Sequence, residues 1–210
     1  MDFLKIQPIH LDVLREIGNI GAGHAATALS TMLNKAVDMK VPSVNVISFE
    51  EISEMVGGAE NVVASVFLRI VGDAPGCMFF MLPVEQAEQL LEDLLIGQTV
   101  KLTNGEESDI SLSALQEVGN ILSGSYLTSF SDFTGLNLQP SVPATSIDMA
   151  GAILSFGLFE ISTVSDYAIV IDTAFTDIER QDEVKGHFFL LPDPLSFSKI
   201  FEALGVPLDE

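Results

Sequence analysis

The chain has 210 residues, 48% of them hydrophobic and 19% charged, which is ample for a buried core and too apolar for a disordered chain. A formal net charge of −21 argues against nonspecific attraction to nucleic acid or to an anionic membrane, and it fits either basic protein surfaces as partners or simply a well-solvated acidic surface. The single cysteine excludes an internal disulfide and suits a reducing cytoplasm; no apolar run reaches the ~18 residues of a membrane span, and MDFLKIQPIH lacks a secretory pattern.

In chain order, Pro8 suits the first turn of a helix, and Leu14, Ile17, Gly21, Ala25, Ala28 and Met32 recur at three- and four-residue spacing along it. A strand is predicted from Val41-Pro42 through VPSVNVISF. Two β-rich runs follow, Val62–Val71 and Gly76–Leu82, and then a helix, VEQAEQLLEDLL. The polar, turn-rich stretch Gly97–Asp109 reads as a link. Beyond it a second helix carries Leu115, Val118, Leu122, Tyr126 and Phe130 on one stripe, with Asp109 or Ser111 available as its cap. Where the first half has its strand the second is less strand-like, and Asp148–Phe156 reads as a helix. Ala168–Phe175 and Val184–Leu191 are β-rich, with hairpin-like polar sequence between them, and PLSFSKIFEAL closes the chain as a helix. Strands joined by short links predict antiparallel pairing, hence an α+β fold with long helices packed on a sheet.

The chain also reads twice. Glu16-Ile17-Gly18-Asn19-Ile20 returns as Glu117-Val118-Gly119-Asn120-Ile121, 101 residues later, and Val41-Pro42 returns as Val142-Pro143 at the same offset. Phe79-Phe80-Met81-Leu82-Pro83 returns as Phe188-Phe189-Leu190-Leu191-Pro192 at an offset of 109, the extra residues falling in the polar segment Thr176–Glu183. A single domain, 1–210, built of two similar halves related by a pseudo-twofold (about 1–100 and 101–210), accounts for this. Residues 1–105 carry 13 acids and 6 bases, residues 106–210 carry 17 and 3, so the halves differ in net charge, −7 against −14.

Two motifs overlap in EIGNIGAGHAA. Its tail fits a dinucleotide-binding turn, but that turn follows a strand and opens a helix, whereas these glycines follow two turns of patterned helix. The second copy has Leu122-Ser123-Gly124 where the first has Gly21-Ala22-Gly23, so the glycine pattern is lost while Glu and Asn are kept. Gly18, Gly21 and Gly23 are therefore read as close helix packing. Asp12, Glu16 and Asn19, like Ser113, Glu117 and Asn120, lie at helical spacing on a side away from the apolar stripe and face solvent or a partner. Asn is a poor residue for an exposed helix interior, and both copies bear it.

Each copy has the same frame: Asp or Ser, then Glu four residues on, Asn three further, and Pro after 22 intervening residues. In this pattern, and over essentially its whole length, the sequence resembles the CheC/CheX/FliY phosphatases of bacterial chemotaxis. The resemblance implies an enzyme that hydrolyses the aspartyl phosphate of the response regulator CheY. It makes Asn19 and Asn120 the residues that orient the attacking water, Glu16 and Glu117 the anchors for the lysine at the CheY active site, and Asp12, Ser113, Pro42 and Pro143 supports. It implies no metal or cofactor of the protein's own, the Mg²⁺ belonging to CheY. CheD is implied as a second partner, docking near Ser146–Phe156, with Asp148, Met149 and Ile153 as contact residues. His10, His24 and His187 have no metal-ligand spacing, and Cys77 sits in an apolar run; each reads as a buried or satisfied side chain. The rival reading is a non-catalytic interaction module of the flagellar-switch or CheD-regulator type.

Overall fold

A computed structural model describes residues 6–94, 100–102, 109–160, 167–177 and 183–208. Pro8 does open the first helix, α1 (Pro8–Leu33), which ends where Asn34 adopts the left-handed conformation at φ 51°. The strand expected from Val41 onward starts at Val44, as β2 (Val44–Ser48), and an unexpected strand, β1 (Val37–Lys40), precedes it, with Pro42 in the break between them. Proline has no N–H to give a ladder, and a break is where a sheet tolerates it. A short helix the sequence did not announce, α2 (Phe49–Met55), follows at once, with the Ser48 backbone N–H donating to Glu51 Oε2 at 2.8 Å. The runs β3 (Val62–Gly72) and β4 (Gly76–Pro83) and the helix α3 (Val84–Leu94) complete the first half. Of the polar link, 97–99 and 103–108 lie outside the described residues, but Val100 and Leu102 are buried in the core.

The second half repeats this order: α4 (Asp109–Thr134), β5 (Leu138–Pro140), β6 (Ala144–Met149), α5 (Ala150–Glu160), β7 (Tyr167–Asp177), β8 (Glu183–Pro192) and α6 (Pro194–Ala203). Asp109 is the first residue of α4 and Ser111 is buried within its first turn, so neither stands at the cap position before it. The helix expected over Asp148–Phe156 begins only at Ala150. Asp148 and Met149 end a strand whose polar residues, Thr145, Ser146 and Asp148, mask it in the sequence. The middle of the segment Thr176–Glu183, 178–182, lies outside the described residues.

The eight strands of the described residues join one antiparallel sheet in the order β1-β7-β8-β4-β3-β5, with β2 also on β7 and β6 also on β3. The repeated Phe-Phe runs meet at its centre, where β4 pairs β8 with Phe79 opposite Phe189 and Phe80 opposite Phe188. The halves also exchange strands. β1 and β2 of the first pair β7 of the second, and β5 and β6 of the second pair β3 of the first.

One face of the sheet carries α1, α3, α4 and α6 over the larger core, in which Phe80 stacks on Phe188 with ring centroids 4.6 Å apart. The other face carries α2 and α5 over a smaller core. On that second face Asp172 of β7 takes a hydrogen bond from Ser43 and lies 2.7 Å from His187 Nδ1 on β8, tying the β1–β2 connection to the sheet. The bond from His187, helped by that from Ser43 and opposed by burial, holds the Asp172 carboxyl below the ordinary carboxylate range. A carboxyl held down in the folded state stabilises it above its unfolded pKa, and that contribution is lost as pH falls through the lowered folded value. The melting temperature of Asp172→Asn is therefore expected to lie below wild type at neutral pH and to converge with it in acid. A constant gap at all pH values would show that the ionised carboxylate is not what stabilises.

The helix glycines divide by surroundings. A Cβ on Gly21 would lie 2.8 Å from Tyr126 Cδ1 and 3.1 Å from Tyr126 Cα, so this glycine lets α1 and α4 touch. Gly23 does not fit the packing role expected of it. Beyond its own turn of helix, no atom stands within 4 Å of where a Cβ would lie, and the same holds for Gly124, its counterpart 101 residues on. Gly23→Ala and Gly124→Ala are each expected to add about 1 kcal/mol of stability and roughly 2–4 °C to the melting temperature. A thermal melt checks this, and a lowered Tm would mean that the open space is needed.

Candidate active site

Glu16 and Asn19 stand exposed in the middle of α1, while Leu14, Ile17 and Gly18 are buried against the sheet. The apolar stripe thus fixes which way the polar residues point. Asn19 is held at both ends of its amide. Its Oδ1 accepts the Val41 N–H at 3.1 Å, and its Nδ2 donates to the Arg15 carbonyl at 3.1 Å. The first bond ties the segment before Pro42 to the helix, and Val41, 4% exposed, packs its methyls over Gly18. Asp12 pairs with Arg15 at 2.9 Å, an exposed ion pair worth about 0–1 kcal/mol. Glu16 makes no hydrogen bond or ion pair among the described residues.

On α4 the same register brings Ser113, Glu117 and Asn120 together with the segment 140–143, and here the two elements stand apart. Between them lies a pocket of about 470 Å³, lined on the helix side by Ser113, Gln116, Glu117 and Asn120 and on the other by Pro140, Ser141, Val142 and Pro143. Val142, the counterpart of Val41, is 83% exposed. The space it would have filled over Gly119 is taken by Val66 of β3. Gln116 Nε2 donates to the Pro143 carbonyl at 3.0 Å, and Asn120 has no hydrogen bond among the described residues. An uncharged amide and a carboxylate, one turn apart on the wall of an open pocket, can orient a water and attract a cation.

Sequence reasoning brought the four Glu and Asn residues and their supports to these two places but missed Arg15 and Gln116. They occupy one position of the repeat, directly before the Glu, and they differ where the flanking residues repeat. That mismatch was the available signal. The expected partner contacts separate. Asp148 and Met149 are exposed, but Ile153 is 7% exposed and belongs to the smaller core. His10 is buried, its Nδ1 accepting the Gln7 N–H at 2.8 Å and its ring edge-on to Phe201. Exposed His24 approaches Ser129 Oγ at 3.4 Å. Cys77 is buried in β4, and burial pushes its thiol up to about 12, well away from reactivity. Among the described residues no helix is long and apolar enough to cross a membrane.

Comparison with known proteins gives consistent results. A family model described as the CheC-like family matches residues 9–46 and 110–147, two segments in the register of the repeat that each run from the motif helix to the strand past the proline. The sequence is 49% identical to the CheY-P phosphatase CheC of Bacillus subtilis over 206 residues, 98% of this chain and 99% of that protein. In structure it is similar to Thermotoga maritima FliY, with a TM-score of 0.74, 22% identity, and coverage of 95% of this chain and 98% of that one. It is also similar to the FliM middle domain from H. pylori, with a TM-score of 0.68, 12% identity, and coverage of 94% and 99%. At these identities the two structures speak for the fold alone, and both support the mixed helix and antiparallel-sheet architecture.

Proposed function

Since the chain belongs to the CheC-like family, we propose that it hydrolyses the aspartyl phosphate of a CheY-type response regulator at two sites, one on α1 and one on α4. The observation that carries this reading is the α4 pocket, where Asn120 lines an open cavity with its amide unengaged and Glu117 one turn away. Hydrolysis of an acyl phosphate needs a water held in line with the breaking bond, and little else from the helper protein. The amide of Asn120 accepts a hydrogen bond from that water and can donate one to a phosphoryl oxygen, and it stays neutral at any cellular pH. The water oxygen attacks phosphorus as the bond to the regulator's aspartate breaks; the carboxylate leaves and the water's proton passes to the phosphate formed. Glu117 anchors the lysine beside the regulator's phosphorylation site, holding α4 over it. Asn19 and Glu16 take the same parts on α1. The Mg²⁺ that such a reaction uses is part of the regulator substrate, and the setting is the cytoplasm.

Phosphate loss from phosphorylated CheY, followed with and without this protein, tests the reading; an unchanged rate would leave the non-catalytic switch-module alternative standing. Against that alternative, both Glu–Asn pairs are intact, and a catalytically idle relative has no physical need of two.

A surface on the far side of the sheet supports CheD as a second partner. Met149 and Phe156, 46% and 61% exposed, lie near Asp148 at the junction of β6 and α5, and Asp148 and Phe156 line a pocket of about 370 Å³. Ile153, largely buried, lines the same pocket from its floor. Because the sheet separates it from α1 and α4, CheD and CheY should bind together, and titration of CheD in the presence of CheY will reveal competition if they do not.

A further inference from the structure

The two copies of the motif hold their walls against their helices with different bonds. In the first copy the bond is made by Asn19 itself, whose Oδ1 takes the Val41 N–H while its Nδ2 is spent on the Arg15 carbonyl. In the second copy it is made by Gln116, whose Nε2 reaches the Pro143 carbonyl, and Asn120 is left without a partner among the described residues. The residue at Gln116's position in the first copy is Arg15, which turns instead to Asp12 at 2.9 Å. The valines follow suit: Val41 is tucked over Gly18, whereas Val142 stands in solvent and the pocket beneath it is open.

Resting on the phosphatase reading, we propose that Gln116 is a positioning residue for the second site, doing there the structural task that Asn19 performs at the first. The second site then works as built. At the first, Asn19 must release the Val41 N–H and the Arg15 carbonyl before its amide can hold a water. One exposed and one part-buried neutral hydrogen bond exchanged for water represent an equilibrium constant of roughly ten, so the first site runs about tenfold slower.

The test compares kcat and KM for phosphorylated CheY in single-site backgrounds. Asn19→Ala is expected to lose less than about half of the wild-type kcat, and Asn120→Ala about tenfold. Gln116→Met keeps the side chain's length and removes its donor. It should lower kcat about threefold or more in the Asn19→Ala background, with KM nearly constant, and less than about 1.5-fold in the Asn120→Ala background. A general loss of structure would instead lower both alike. Arg15→Gln in the Asn120→Ala background should raise kcat by giving the first site the second site's hook. Equal kcat for the two Asn→Ala variants, or equal effects of Gln116→Met in both backgrounds, would overturn the proposal while leaving the phosphatase reading in place. A wild-type protein that does not accelerate hydrolysis would overturn both.

Discussion

Alanine at both Asn19 and Asn120 is expected to return phosphorylated CheY to its own slow hydrolysis, a loss of about a hundredfold or more in the assisted rate. The expectation follows from the water-orienting part proposed for each amide. A water already next to the phosphoryl group reacts only when its oxygen lies in line with the leaving carboxylate, and a methyl group cannot hold it there. Aspartate at the two positions is the sharper control. It preserves the shape and the acceptor, but it has no donor and places a negative charge against the phosphoryl oxygens, so Asn19→Asp with Asn120→Asp should be as inactive as the alanine pair. Phosphate release at saturating substrate measures both, and a double variant within about twofold of wild type would remove the two amides from the mechanism. Substituting Glu16 and Glu117 by Gln should act mainly on KM, because an anchoring charge contributes to binding in the ground state as well as the transition state.

Gly119→Ala is the substitution with the largest expected cost to stability among the motif positions. Its Cβ would lie 2.5 Å from Val66 Cγ1 and 2.7 Å from Val66 Cβ and Cγ2. Val66 is a buried β-branched residue in the middle of β3, with little freedom to turn away. The helix must lift or the valine must leave its rotamer, a cost of about 1–3 kcal/mol that exceeds what alanine gains in helix propensity. Tm should fall by several degrees, roughly 2–4 °C per kcal/mol in a chain of this size. The counterpart Gly18 faces Val41 and Ile171 at 3.4 to 3.6 Å, ordinary contact distances, so Gly18→Ala should stay within about 1 kcal/mol of wild type. A Gly119→Ala protein as stable as wild type would mean that α4 is not pressed against β3 as described. Because Asn120 is the next residue on the helix, loss of activity beyond what unfolding explains would report displacement of the site itself.

How much of this was legible in the sequence depends on whether the information is local. The long helices, the β-rich runs and the Glu–Asn face were readable because spacing along one segment determines them. The duplication was readable because its two copies can be compared without a structure. Strand exchange was not, since Val44–Ser48 has the same alternation whichever strand it pairs with. Nor was the break at Pro42 separable from a strand beginning there; only Val37–Lys40 pairing with β7 reveals it. Gly23 was grouped with its packed neighbours because a sequence cannot tell a glycine that meets Tyr126, as Gly21 does, from one that meets nothing. Ile153, placed beside Asp148 and Met149 by the family resemblance, belongs to the smaller core and also lines the pocket next to them, a double position that sequence does not display.

The exchange of strands between halves also governs the order in which the molecule can assemble. Ser43 is bonded to Asp172 across 129 residues, and β2 has no strand to lie on until β7 exists. A chain leaving the ribosome therefore carries Asn19 long before the wall that holds it can form. During that interval β1, β2 and the outer edge of β3 are open to any other strand, including those of a second nascent copy. Closing so long a loop is slow, because its entropy is lost before the contacts that reward it are made. The first site is thus the first sequence to be synthesised and among the last parts of the fold to be completed.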